Sequence, residues 1–177
     1  MTACPYNRRA MSTTKRLLLI LTILFSCVGC DQATKSVAKA YLSETHSVVL
    51  LGDTVRLQLA KNYGAFLSLG SSVGEASRGV LFSVVVGAVL AALLAYLFIS
   101  KPENPIVGVS VALIVGGGVS NLIDRLRYGG YVVDFLNVGI GPVRTGIFNV
   151  ADMAIMVGVV MWAFSDRFWT PKSPAKA

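Results

Sequence analysis

Three aspartates, two asparagines and one arginine stand out between Gly116 and Asp152: Asp124, Asp134, Asp152, Asn121, Asn149 and Arg125. This stretch begins inside one apolar run and ends just inside another. Ionisable groups at the ends of membrane-length segments are costly to bury, so they are functional candidates by default. Asn121 and Arg125 are four residues apart, and Asn149 and Asp152 three, spacings that put each pair on one helix face. Asp134 differs, because Val132-Val133-Asp134-Phe135 is a β-branched apolar run that reads as a short strand or loop. Two carboxylates sharing a site do not easily both ionise. One keeps a proton while the other acts as a base, which is the chemistry of water activation by an acid–base pair.

The elements that must position these groups are membrane helices. Of 177 residues, 54% are hydrophobic and 14% charged, and the mean hydropathy is +0.67. Apolar runs of about 20 residues match the bilayer core. The expected fold is membrane α-helical, with four transmembrane helices over about 15–36, 79–99, 106–123 and 146–164, in one domain spanning 15–168. A leader over 1–14 and a tail over 169–177 are expected to be cytoplasmic, the leader disordered, and Met11 offers an alternative start. The basic lead-in and apolar core of 17–30 also fit a signal peptide. However, Asp31 to Lys35 continues the helical pattern and further apolar runs follow.

Between the first two spans, Val48–Leu51 and Thr54–Leu59 flank Gly52-Asp53, which suits a two-residue hairpin with Gly at its first central position. Alternation of Val55, Leu57 and Leu59 with Arg56 and Gln58 gives a strand with one apolar face, the start of a small extracytoplasmic β-sheet. Glu75–Arg78 reads as a short surface helix. The span over 106–123 is rich in small residues, Gly116, Gly117 and Gly118 among them, which lets helices approach closely in lipid. Trp162 and Trp169 fit interfacial anchors.

The sequence also excludes classes. The net charge of +7 is spread along every loop, so anionic lipid headgroups are the expected partner and nucleic acid is not. Cys27 and Cys30 form a C-x-x-C, but His46 is the sole histidine and no second such pair exists. A structural zinc site therefore lacks ligands, and cysteines in an apolar run behave as small hydrophobes. The triple glycine follows no strand and precedes no Lys-Ser/Thr, unlike a phosphate loop. The sixteen Lys and Arg residues divide evenly between the two sides of a four-span arrangement. The cluster Arg8, Arg9, Lys15 and Arg16 before the first span then decides, placing both termini in the cytoplasm.

Five short motifs occur in order on this pattern: Asp31-Gln32-x-x-Lys35, Asn62-x-Gly64-Ala65-Phe66, Asn121-x-x-Asp124-Arg125, Val133-Asp134-Phe135 and Phe148-Asn149-x-Ala151-Asp152. Together they resemble the bacterial lipoprotein signal peptidase (signal peptidase II) family, from about residue 15 to 168. The resemblance implies an aspartyl endopeptidase of the bacterial inner membrane, acting as a monomer without metal or cofactor. Its substrates would be prolipoproteins carrying diacylglyceryl-cysteine, cleaved just before that cysteine at a site near the extracytoplasmic face. It further implies that Asp134 and Asp152 are the catalytic pair. Asn62, Gly64, Asn121, Arg125 and Asn149 would shape the site and hold substrate, with Asp31, Lys35 and Asp124 supporting.

Bland readings stand beside these roles. Asp124 next to Arg125 suits a local ion pair, and Asn121 and Asn149 suit interhelical hydrogen bonds. Asp31 and Lys35 suit a pair with each other, contact with the later carboxylates, or a solvated helix end. A small transporter or proton channel would also carry membrane Asp and Asn. It predicts acids near the bilayer midplane and a repeated helix pattern, whereas every membrane Asp here lies at one end of its span. A membrane scaffold with the aspartates as interhelical ties is the other rival.

Overall fold

A computed structural model describes residues 12–64, 75–100, 102 and 104–169. The first eleven residues, Ala65-Phe66 of the second motif, Glu103 and the tail beyond Trp169 lie outside the described residues. The order of elements is α1 (Thr13–Tyr41), β1 (Val48–Leu50), β2 (Val55–Asn62), α2 (Glu75–Ile99), α3 (Pro105–Arg127), β3 (Val132–Ile140), β4 (Val143–Arg144), α4 (Val150–Ala163) and α5 (Ser165–Phe168).

α1 is turned inside out relative to a water-soluble helix. Its buried residues are Ile20, Asp31, Lys35 and Ala38, while Leu18 and Phe25 are exposed. Burying a lysine and an aspartate while presenting leucine and phenylalanine outward is stable only where the surroundings are apolar. Among the described residues, Thr13–Tyr41 and Pro105–Arg127 are long and apolar enough to cross a membrane.

α3 is the central helix and packs against α1, α2 and α4. Its glycines explain how. Successive helical residues point about 100° apart, so three in a row face three neighbours. A Cβ on Gly116 would meet the Cys27 side chain of α1 at 2.8 Å; one on Gly117 would strike the Ala151 carbonyl of α4; one on Gly118 would strike Leu90 of α2. Cys27 is a free thiol that packs here as a small apolar side chain. From α4, Gly158 returns the favour, its missing Cβ leaving room for the Ser110 carbonyl. Around this axis Ile20, Leu90, Leu97, Val107, Val111, Ala112 and Val115 form the buried apolar core.

The sheet has four antiparallel strands in the order β1-β2-β3-β4. The hairpin turns around Gly52-Asp53, with the Thr54 amide donating to the Leu51 carbonyl at 3.2 Å, but its innermost pair is Leu50 with Val55, so the connection has four residues and not the expected two. Its geometry differs as well. Both central residues have positive φ, as does Leu51. Arg56 grips the Asp53 carboxylate through two bonds of 2.6 Å, and that contact holds Asp53 below the usual carboxylate range. Arg144 of β4 donates to the Asp53 carbonyl at 2.7 Å, tying the turn to the far strand.

Several helix ends depart from the expected spans. α1 extends to Tyr41 and α3 to Arg127, and Glu75–Arg78 is the first turn of α2 rather than a separate surface helix. The helix within 146–164 begins only at Val150 and has 14 residues. At 1.5 Å per residue it is about 21 Å long. The missing turn is taken by the sheet: the Phe148 amide donates to the Leu136 carbonyl at 2.9 Å and its carbonyl accepts from Leu136 at 2.9 Å. Trp162 stacks on Tyr96 of α2.

Candidate active site

Asn149 is where the polar groups converge. It caps α4, its side-chain oxygen accepting from the Asp152 amide at 2.9 Å while Asp152 Oδ2 accepts from the Asn149 amide at 3.1 Å. This reciprocal capping box satisfies two orphan amides of the helix start. It also means that Asn149 and Asp152 meet through the cap, not as neighbours on one helical face. With its oxygen engaged, the Asn149 amide nitrogen points away from α4. It donates to Asp134 Oδ1 on β3 at 2.6 Å. One fully buried asparagine therefore touches both carboxylates.

The other oxygens are also engaged. Asp152 Oδ1 accepts from Asn121 Nδ2 at 2.8 Å, and Asp134 Oδ2 accepts from Asn62 Nδ2 at 3.0 Å. Gly64 sets the second contact. At φ 80°, a region that favours glycine, its amide donates to Asn62 Oδ1 at 2.9 Å, leaving the Asn62 amino group to face Asp134. Strand β3 delivers Asp134 through pairing with Ala60 of β2. A register shift between Leu57 and Ala60 adjusts the pairing beside it.

Asp134 is 1% exposed. Burial pushes its carboxyl from the ordinary 3.8 up to about 6. The Asn62 hydrogen bond opposes that rise, the Asp152 charge adds to it, and the Asn149 bond and Lys35 charge oppose it. Such a carboxyl can hold a proton close to neutral pH.

Behind the pair lies a buried ionic cluster. Lys35 is 3% exposed and contacts Asp31 Oδ2 at 2.7 Å and Asp124 Oδ2 at 2.8 Å. Asp31 also accepts from Ser120 Oγ at 2.7 Å and from the Ala151 amide at 2.9 Å. Asp124 accepts from Gln32 Nε2 at 2.8 Å and from the Val133 amide at 3.1 Å. Both alternatives for Lys35 thus occur together, a pair with Asp31 and contact with a later carboxylate. The local pair expected between Asp124 and Arg125 does not form. Asp124 turns inward to Lys35, because adjacent helical residues point about 100° apart and cannot face the same partner. Arg125 keeps a contact of 3.5 Å to the Asn121 carbonyl, and its buried Nε has no partner.

Asp31, Gln32, Lys35, Asn62, Asn121, Asp124, Asp134, Asn149 and Asp152 thus join one hydrogen-bonded network across α1, β2, α3, β3 and α4. Ser120 bonds into it as well, though neither it nor Gln32 is among the site residues that the resemblance implies. Gln32 lies within the first motif, one turn below Ser36 on α1, and Ser120 passes for another small packing residue. The signal available was position: Ser120 precedes Asn121 at the polar end of an apolar run.

A family model described as signal peptidase (SPase) II matches residues 23–168. The chain belongs to this family. Lipoprotein signal peptidase of Moorella thermoacetica is 38% identical over 145 residues, covering 82% of this chain and 87% of the relative. That of Francisella tularensis subsp. novicida is 37% identical over 155 residues, covering 87% and 93%. A solved bacterial membrane enzyme, determined by the in meso method at 1.9 Å resolution, superimposes with a TM-score of 0.70 at 23% identity. It covers 93% of this chain and all of its own, which extends the likeness to the fold. The chain is accordingly a membrane-embedded peptidase of the signal peptidase II family.

Proposed function

We propose that Asp134 and Asp152 are the catalytic carboxyl pair with which this signal peptidase removes signal peptides from lipoproteins. The observation that carries the assignment is the shared asparagine: Asn149 donates to Asp134 at 2.6 Å and caps Asp152 at 2.9 and 3.1 Å. One residue thus gathers both carboxyl groups, near enough for the charge on Asp152 to raise the Asp134 carboxyl. Asp152 lies in the first turn of α4, where the helix N-terminus favours negative charge. Asp134 is buried on a strand, where the proton is retained toward neutral pH. In this reading Asp152 takes the proton from water, and the water oxygen attacks the scissile carbonyl. Asp134 then donates toward the developing oxyanion and later to the leaving amine.

Substrate chemistry follows from the family. The prolipoprotein carries diacylglycerol on a cysteine, and cleavage falls immediately before that residue. Asn62, Asn121 and Asn149 hold the carboxylates in place. Arg125, on α3 one turn beyond Asn121, has an unpartnered Nε and is suited to a substrate carbonyl. The reading also carries four spans on α1 to α4, both termini in the cytoplasm and the site near the outer face of the inner membrane.

The test is cleavage of a diacylglyceryl-modified prolipoprotein peptide by purified protein. Asn keeps the size and hydrogen bonding of Asp but cannot shuttle the proton, and acid–base steps are worth about 10² to 10⁴ in rate. Asp134→Asn and Asp152→Asn should each give folded, nearly inert protein, and the double variant should lose little more, because groups acting as a unit are not additive. Near wild-type turnover in either single variant would remove that residue from the pair.

A further inference from the structure

Asn121 stands between a cation and a carboxylate. Lys35 Nζ lies 2.9 Å from its side-chain oxygen, and its amide nitrogen donates to Asp152 Oδ1 at 2.8 Å. A lysine ammonium has three protons and no acceptor. Two of them are taken by Asp31 and Asp124, which is all that a purely structural ion cluster requires. The third goes to Asn121 at 2.9 Å, whose oxygen also accepts a longer bond of 3.2 Å from Asn149 Nδ2, so the ammonium is the closer and the only charged of two donors that favour one orientation of that amide. Turned over, the amide would set its NH2 against the ammonium and its carbonyl against Asp152, two repulsive contacts in a buried site.

We propose that Lys35 is a positioning residue of the peptidase reaction, locking the Asn121 amide so that an N–H, and never a carbonyl, meets Asp152. This rests on the reading of Asp134 and Asp152 as the catalytic pair. Lys35 touches neither carboxylate of that pair. Its charge draws Asp134 down from a distance, and its bonded route to the pair is one amide: α1 holds the cation, α3 holds the amide, and α4 presents the carboxylate of Asp152. The charged groups around this point are Asp31 on α1, Asp124 and Arg125 on α3, and Asp134 on β3. Lys35 is the one among them that faces the Asn121 oxygen.

Lys35→Met alone would strand two buried carboxylates, so the comparison is made in an Asp124→Asn background. Lys35→Met with Asp124→Asn leaves a single negative charge on Asp31, the same net charge as in the intact cluster. Full-length enzymes in detergent or nanodiscs are assayed with the lipidated peptide across pH. Relative to Asp124→Asn, the double variant should fold to similar yield and keep KM. Its kcat should fall about tenfold or more, the loss expected for one hydrogen bond to a charged group. The acidic limb of its kcat/KM profile should move upward by about one pH unit, because a freed carbonyl facing a carboxylate favours the protonated form. A folded double variant with the pH profile of Asp124→Asn overturns the proposal. So does loss of folded protein on adding Lys35→Met, which would make Lys35 a stabilising residue only. Asp134→Asn and Asp152→Asn run in the same assay separate the two ideas. If either stays active, the catalytic pair fails. If both are inert and the limb does not move, only the role of Lys35 fails.

Discussion

At the scale of single residues, the site is an exercise in assigning amide orientation. Each of three asparagines has its oxygen claimed by a donor: Gly64 N–H for Asn62, Lys35 for Asn121, Asp152 N–H for Asn149. Each therefore turns an amino group toward a carboxylate. Asn62 gives the most direct pH prediction. Its bond to Asp134 draws the carboxyl down against burial, which has raised it to about 6. Removing that bond in Asn62→Ala lets Asp134 keep its proton to higher pH. The alkaline limb of the kcat/KM profile should move upward, and a downward movement would contradict the protonated role of Asp134. The motif around Arg125 suggests Asp124 as its partner, yet Asp124 pairs with Lys35, because adjacency in sequence says little about which way a helical side chain points.

Element by element, the cluster behind the pair works as a clamp. Asp124 binds Lys35 and Gln32 of α1 and the Val133 amide of β3. Asp124→Asn should lower the thermal midpoint and the yield while leaving measurable turnover, since breaking one partner of a buried ion pair typically costs about 3 to 5 kcal/mol. An inert but fully stable Asp124→Asn would instead move the catalytic assignment to Asp124. The glycines of α3 give a graded series. Gly117→Ala drives a methyl into the Ala151 backbone one residue before Asp152, where nothing can yield. Gly118→Ala meets the tip of the flexible Leu90 side chain, and Gly108→Ala meets open space. Loss of stability and activity in purified protein should fall in that order, with overpacking costs of about 1 to 3 kcal/mol at the worst position.

For the whole molecule, the telling feature is its inverted surface. Leu18 and Phe25 of α1 and Met156 of α4 face outward, while Asp31, Lys35, Asp124 and Asp134 are all but completely buried. The four-span arrangement makes a plain topological forecast. Reporter fusions after Ser72 and Val138 should read outside, and fusions after Glu103 and Lys172 inside. An outside reading after Glu103 would invert the molecule and put the site on the cytoplasmic face.

By itself, the sequence determined the membrane class, the family and the reaction, because these live in local patterns. Apolar runs are visible one residue at a time, and five short motifs in order survive without any knowledge of distance. It also marked Asn62, Asn121, Asp134, Asn149 and Asp152 as residues with work to do. Tertiary structure alone decided which atoms meet. That β3 lines up beside β2 depends on contacts between residues some 70 to 80 positions apart in the chain, and its end at Ile140 on pairing with β4. The late start of α4 follows from Phe148 joining that sheet. The choice of Lys35 over Arg125 as partner of Asp124 follows from how α1 leans on α3. Three glycines facing three helices are, in the sequence, only a run of small residues. Close packing and hydrogen-bond geometry are properties of several segments at once, and no single stretch of chain contains them.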